Sequence, residues 1–199
     1  MVSNILLRDQ QGTPRPMATD KDSAGTPVHR PVHHSEVVEI QALKTRPANA
    51  SAYAAGQLIG DGTTTLWTWD LNSYGLERGG LLIGATLTRQ TAGTNLTTRF
   101  RLHLHDAVPA SYNTTDRSDH PLLWANRVSR RGYVDFSSPN VGDSASGNDC
   151  QFYVGTLSNP QGILITPTDG IARGLLATRD AIATSESGIG YLLELQFIL

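Results

Sequence analysis

The run 189-IGYLLELQFIL-199 decides the fold class. In an extended chain, Tyr191, Leu193, Leu195, Phe197 and Leu199 fall on one face, and Leu192, Glu194, Gln196 and Ile198 on the other. That is the two-residue period of a β-strand with a buried side. A strand that ends on an apolar residue is expected to be tied into a sheet, central or well covered.

The same period runs through 99-RFRLHLHDA-107. It puts Phe100, Leu102 and Leu104 on a core face, and Arg99, Arg101, His103 and His105 on the opposite one, which is expected to meet solvent or a subunit partner. Further strand candidates are 64-TTLWTWDL-71, 80-GLLIGATLTR-89, 132-GYVDFS-137, 150-CQFYVGTL-157, 162-GILITP-167 and 173-RGLLATRDAIA-183. Gly, Asn, Asp, Ser and Pro punctuate the connections, as in 91-TAGTN-95 and 185-SESG-188. The stretch 171-IARGLLATRDAIATSE-186 also fits a helix. The SESG turn and the alternating run behind it favour the first arm of a terminal hairpin. About eight strands without a long amphipathic helix predict an all-β, antiparallel β-sandwich of jelly-roll-like type.

Composition agrees. Thr and Gly, 21 and 19 of 199 residues, favour strands and turns, and Lys and Glu are few. A net charge of -2 excludes the basic excess of a nucleic-acid binder. Of the 16 cationic residues, 14 are Arg, and only Lys21 and Lys44 are Lys. Arg is enriched at protein interfaces and Lys depleted, because the planar guanidinium is weakly hydrated and pairs bidentately. Nucleotide-composition bias gives the same pattern, so the count permits an assembly protein without showing one. Cys150 is the single cysteine, which excludes an intrachain disulfide and a cysteine-based zinc cluster. The start, MVSNILLRDQQG, lacks the apolar run of a signal peptide, and no stretch reaches the roughly 18 apolar residues of a membrane span. Neither a membrane nor an export route is expected.

Residues 1–46 differ in texture and are expected to form an extended N-terminal arm ahead of a sandwich domain at 47–199. The segment 12-GTPRPMATDKDSAGTPVHRPVHH-34 has four prolines and few large apolar side chains, too little to offset its ordering entropy alone. Apolar runs flank it, 4-NILL-7 and 37-VVEIQAL-43, and each suits addition to a sheet, a neighbour's included. The arm's partner-facing candidates are Arg8, Arg15, Pro16, Arg30, His33, His34, Val37 and Ile40.

Catalytic constellations are thin: no nucleophile elbow and no phosphate-binding loop occurs. His103 and His105 at i and i+2 on a strand are able to share a metal, with His120 a third candidate, as in a cupin-like metalloenzyme. The glutamate that follows such a pair in cupins is missing from 105-HDAVPASY-112, and Arg99 and Arg101 on the same face repel a dication. No enzyme, metal or other cofactor is expected. Asp116 and Asp119 read as a solvated loop, and Trp67 and Trp69, on one strand face, as core.

The pattern 51-SAYAAGQLIGDG-62, 79-GGLLIGATLTRQTAGTNLTTRFRLHLHDAVPA-110, 132-GYVDF-136 and 171-IARGLLATRDAIATSESGIGYLLELQFIL-199 resembles tailed-bacteriophage capsid-associated structural proteins of decoration, cement or head-fibre type. The resemblance covers residues 47–199, with Gln57 in place of an acidic residue. The start 5-ILLRDQQGTPRPM-17 is similar to N-terminal segments of phage virion proteins. The resemblance implies a structural virion protein, made in the host cytoplasm. It would bind the capsid exterior across capsomer junctions, with the major capsid protein and its own copies, as a homotrimer, for partners. A tail or head fibre or glycan-binding adsorption module using Trp67, Trp69 or Trp124 is the alternative, and the metalloenzyme a second.

Overall fold

The computed structural model describes residues 17–21, 27–31, 37–48, 51–90, 96–120, 123–141, 150–183 and 187–198. The chain divides into two units, residues 1–36 and 37–199. In the first, β1 (Met17–Lys21) and β2 (Pro27–Pro31) pair antiparallel as a two-stranded sheet.

The second unit is one antiparallel sheet of nine strands: β3 (Val37–Thr45), β4 (Leu66–Asp70), β5 (Gly80–Gln90), β6 (Phe100–His105), β7 (Arg130–Val141), β8 (Cys150–Leu157), β9 (Ile163–Ile165), β10 (Ile171–Thr178) and β11 (Gly190–Ile198). The spatial order is β3-β11-β5-β8-β7-β6-β10-β4, with β9 paired to β5. Strands β4 to β11 fall on the eight stretches with strand pattern. β3 comes from the stretch read as the end of the arm, and it is the outer partner of β11 in the body's own sheet. Among the described residues there is no α-helix, only short 3-10 turns at Asn72–Tyr74 and Trp124–Arg127.

Alternation builds the core. On β11, Tyr191, Leu193, Leu195 and Phe197 are fully buried while their neighbours stay half-exposed. The strand lies between β3 and β5, the covered position its pattern requires. Phe100 packs edge-on against Tyr153 and Tyr191, and Trp67 stacks on Trp69 inside. The sheet curls until its two edges approach: Lys44 of β3 pairs with Asp61 at 2.6 Å and sits 5.8 Å over the ring of Trp67 of β4. The result is a nearly closed, barrel-like antiparallel sandwich of jelly-roll type.

One local choice has a single solution. Gly79 leads into β5 at φ +93, and a Cβ there would lie 1.9 Å from the Ile165 carbonyl oxygen. Only glycine fits where the chain passes so close to β9.

The terminal hairpin expected from 171-IARGLLATRDAIATSE-186 does not form. The segment does contain a strand, but β10 pairs with β6 and β4, not with β11. The reason is burial on both faces. Ala172 and Leu176 enter the main core, while Leu175 and Ala177 form a second cluster with Leu58, against which Leu66 and Tyr112 pack. A strand apolar on both sides belongs in a sheet's covered interior, with a partner along each edge.

Candidate functional site

The two halves of the sheet differ on their outer surfaces. Over β6 and β10 the chain covers itself. Residues 53–60 run along β10 past the end of β4, with Ile59 donating to the Leu176 carbonyl at 2.8 Å and Gly56 to that of Thr178 at 2.8 Å. Residues 116–120 pair with this strip in turn: Leu58 donates to Ser118, Arg117 to Leu58 and His120 to Gly56. The strip is locked by a buried ion pair. Asp116 accepts from Arg46 Nη2 at 2.8 Å, from the Tyr53 hydroxyl at 2.8 Å and from the Gly60 amide at 2.8 Å. The Arg46 guanidinium lies 3.9 Å over the Tyr53 ring. Asp116 is therefore an internal clamp, not the solvated loop residue expected, whereas Asp119 is exposed. Burial first, and the Asp116 carboxylate beside it, push the Tyr53 phenol far up despite Arg46.

This cover changes the reading of the histidines. His103 and His105 do stand on the outward side of β6, opposite Leu102 and Leu104, but they meet neither solvent nor a partner: His103 is 6% exposed and His105 2%. His120, carried by the covering segment, places its ring 4.3 Å from that of His103. On the flanking strands, Tyr133 and Leu175 stand beside His103, and Arg130 and Arg173 beside His105. The Ser129 hydroxyl is 3.0 Å from His105 Nδ1. His105 Nε2 and both ring nitrogens of His120 are buried without a hydrogen-bond partner among the described residues. Burial, then the charges of His120, Arg101, His105 and Arg130, push His103 down to about 2. Burial and Arg130 hold His105 and His120 down to about 4. The three rings are thus neutral at pH 7, a packed cluster under a lid. Among the described residues no group of three or more His, Cys, Asp or Glu is arranged to hold a metal ion.

Arg101 and Asp135 form a bidentate pair at 2.6 Å beside the cluster, with Arg101 3.9 Å over the Tyr133 ring. Asp106, at the end of β6, is buried and pairs with Arg131.

The other half, β3-β11-β5-β8, carries no such cover among the described residues of the body. Its register aligns four outward rows: Leu43–Leu192–Thr88–Phe152, Gln41–Glu194–Thr86–Val154, Glu39–Gln196–Gly84, and Val37–Ile198–Leu81–Leu164. A β-bulge opposite Gln196 and Phe197 adds Ile83 to this face. Leu43 is 68% exposed and Val154 59%, and Val37, Ile83, Phe152 and Leu164 are exposed as well. The only charges in these rows are Glu39 and Glu194. Glu194 is held in the sheet plane, accepting from Gln41 Nε2 at 2.6 Å and from the Thr86 hydroxyl at 2.7 Å. Two apolar rows on either side of a polar band, one row of it hydrogen-bonded, have the anatomy of an interaction surface.

A second apolar patch lies at one end of the sandwich. Trp124, next to Ala125 in the chain, is 77% exposed, and Val108 and Val128 are exposed as well. A hollow of about 340 Å³ there is lined by Val108, Ala125, Val128, Arg131 and Thr166. The Arg127 guanidinium lies 4.2 Å over the Trp124 ring and donates to the Trp124 carbonyl. Trp67 and Trp69 are core, as expected, so of the three tryptophans only Trp124 presents an exposed ring.

Of the expected arm contacts, Val37 lies exposed on the bare face and Ile40, buried at 3%, is committed to this chain's own core. Arg30 lies on β2, opposite Ala18. Arg8, Arg15, Pro16, His33 and His34 lie outside the described residues. No helix among the described residues is long and apolar enough to cross a membrane.

No protein-family model matches the chain, and no curated protein matches it. Among solved structures it is similar to a chain of the cyanophage Pam1 capsid asymmetric unit, at 18% identity and TM-score 0.36, over 90% of this chain and 97% of that one. It is also similar to a chain of the heated full particle of Israeli acute paralysis virus, at 13% identity and TM-score 0.31, over 100% of this chain and 89% of that one. For Cocksfoot mottle virus the identity is 12% and the TM-score 0.27, over 100% and 95% of the two chains. At such TM-scores these likenesses assign no role to any residue of this chain.

Proposed function

We propose that this chain is a structural virion protein that binds the outside of an icosahedral shell across capsomer junctions and stabilises it. Its partners in this reading are the major capsid protein and its own copies, as a homotrimer. The observation that carries the proposal is the exposed face of β3-β11-β5-β8, with its two apolar rows, in a sandwich whose β6 and β10 are covered by their own chain. The sequence resemblance to capsid-associated proteins supports the same reading. The N-terminal unit adds to it: a two-stranded sheet on its own is marginal in water, so β1 and β2 would gain stability by lying against a shell surface. Such a segment adds buried area across a seam between shell subunits, and its prolines lower the ordering cost by restricting the free chain.

The experiment is co-sedimentation of the full chain and of Δ1–36 with cognate shells from which the protein has been omitted. The truncation ends at Glu36 because β3 starts at Val37 and belongs to the body. The full chain is expected to pellet with shells at saturable stoichiometry, and Δ1–36 to bind at least tenfold more weakly while keeping its fold. A full chain that stays in the supernatant overturns the proposal. Equal binding by Δ1–36 removes the arm from it.

A further inference from the structure

We propose that the body self-associates head to tail, with the bare sheet face of one copy receiving the Trp124 patch of the next. The two surfaces lie on one chain and complement each other. The face has two apolar rows around a polar band, and its only charges are Glu39 and Glu194. The patch is apolar, and its exposed Arg127 has no carboxylate partner among the described residues. Face against face opposes glutamates to glutamates, and patch against patch opposes the two Arg127 side chains. Like charges placed opposite each other disfavour both two-fold arrangements, whereas face against patch joins opposite signs.

Trp124 with Arg127 stacked on it also pairs the two residue types that dominate interface hot spots. The row of Leu43, Leu192 and Phe152 supplies the apolar floor for such an anchor. A heterologous contact of this kind closes into a ring or runs on as a filament.

Size favours closure. Four strands spaced about 4.8 Å and about nine residues long at about 3.3 Å each make a face of about 570 Å². That is below the roughly 800 Å² per partner of a standard interface. One such contact holds two copies weakly. In a closed ring every copy uses both surfaces, and the assembly is held by the set. The proposal rests on the reading above only for closure at three copies.

The test is sedimentation of the full chain across a concentration series, with two exposed-site variants, Val154→Lys on the face and Trp124→Ala on the patch. Circular dichroism checks that both fold, and Leu43→Lys and Arg127→Glu are the second pair should either fail. The wild type is expected to sediment as a trimer, and each variant as a monomer at concentrations where the wild type is assembled. Mixing decides the geometry. The face variant keeps an intact patch and the patch variant an intact face, so fluorescence polarisation should show the two binding each other 1:1, and neither binding itself. A monomeric wild type, a variant that keeps the wild-type mass, or a mixture that does not associate overturns the proposal. A trimer that fails to bind shells overturns the proposed function and leaves this contact standing, and a monomer that binds them does the reverse.

Discussion

Acidification from pH 7 to pH 5 should destabilise the body through the histidine cluster. His103, His105 and His120 all have folded pKa values held below the ordinary 6.5, to about 2, about 4 and about 4. For a base whose folded pKa is depressed, the unfolded chain takes up the proton first. The stability is fully present above about pH 6.5 and is lost as pH falls from there towards the folded values. Below pH 6 each group that behaves this way costs about 1.4 kcal/mol per pH unit, so the slope lies between about 1.4 kcal/mol for one group and about 4 for three. The charges facing the rings, Arg101 and Arg130, oppose protonation of the folded state and so extend the loss to lower pH. In a domain of this size about 1 kcal/mol moves Tm by about 2–4 °C, so pH 6 to pH 5 should lower Tm by at least about 3 °C and by as much as about 16 °C. Thermal melts at pH 7.5, 6.0 and 5.0 read this directly, with His120→Phe as the control that keeps a ring against His103 and removes one titrating group. The depressed carboxylates, Asp169 and Asp180 at about 2, lose their contribution only below about pH 4, outside this window. A wild type with the same Tm at pH 7.5 and 5.0, or a His120→Phe variant with the full wild-type slope, would refute the reasoning.

Asp116→Ala should cost about 3–5 kcal/mol, read as a lowered urea midpoint, because it leaves Arg46 buried without its charge partner and frees the strip at 53–60. Gly79→Ala should destabilise the body severely, since the new Cβ meets the Ile165 carbonyl and the φ of +93 is strained for any L side chain. Its melting curve should fall well below that of Gly56→Ala, where nothing lies within 4 Å and only the positive φ is strained. Δ1–36 should melt like the full chain, whereas Δ1–46 removes β3 and Arg46, exposes the edge of β11 and should lower Tm or aggregate.

The alternation rule located β4 to β11 from sequence because each carries a two-residue period or a continuous apolar run bounded by turn residues. It also placed Trp67 and Trp69 in the core and His103 and His105 on the outward side of β6. What it could not place was what lies over that outward side. The residue that covers it, His120, sits in a polar, turn-rich segment with no period, held there by long-range hydrogen bonds with residues 56–60 and by the Asp116 clamp. The Arg46–Asp116 clamp escaped for the same reason, its partners being seventy positions apart. β10 was found but mispaired, since periodicity within a strand says nothing of which neighbours it takes. The interaction face was invisible until the register was known. Leu43, Leu192 and Phe152 are unremarkable one at a time, and only pairing sets them in one row.

Electron cryo-microscopy of shells assembled with and without the full chain shows whether the protein sits on the outside of a shell. Extra density on the outer surface, spanning junctions between capsomers, is expected. Density confined to the inner surface, or identical maps with and without the protein, would contradict it.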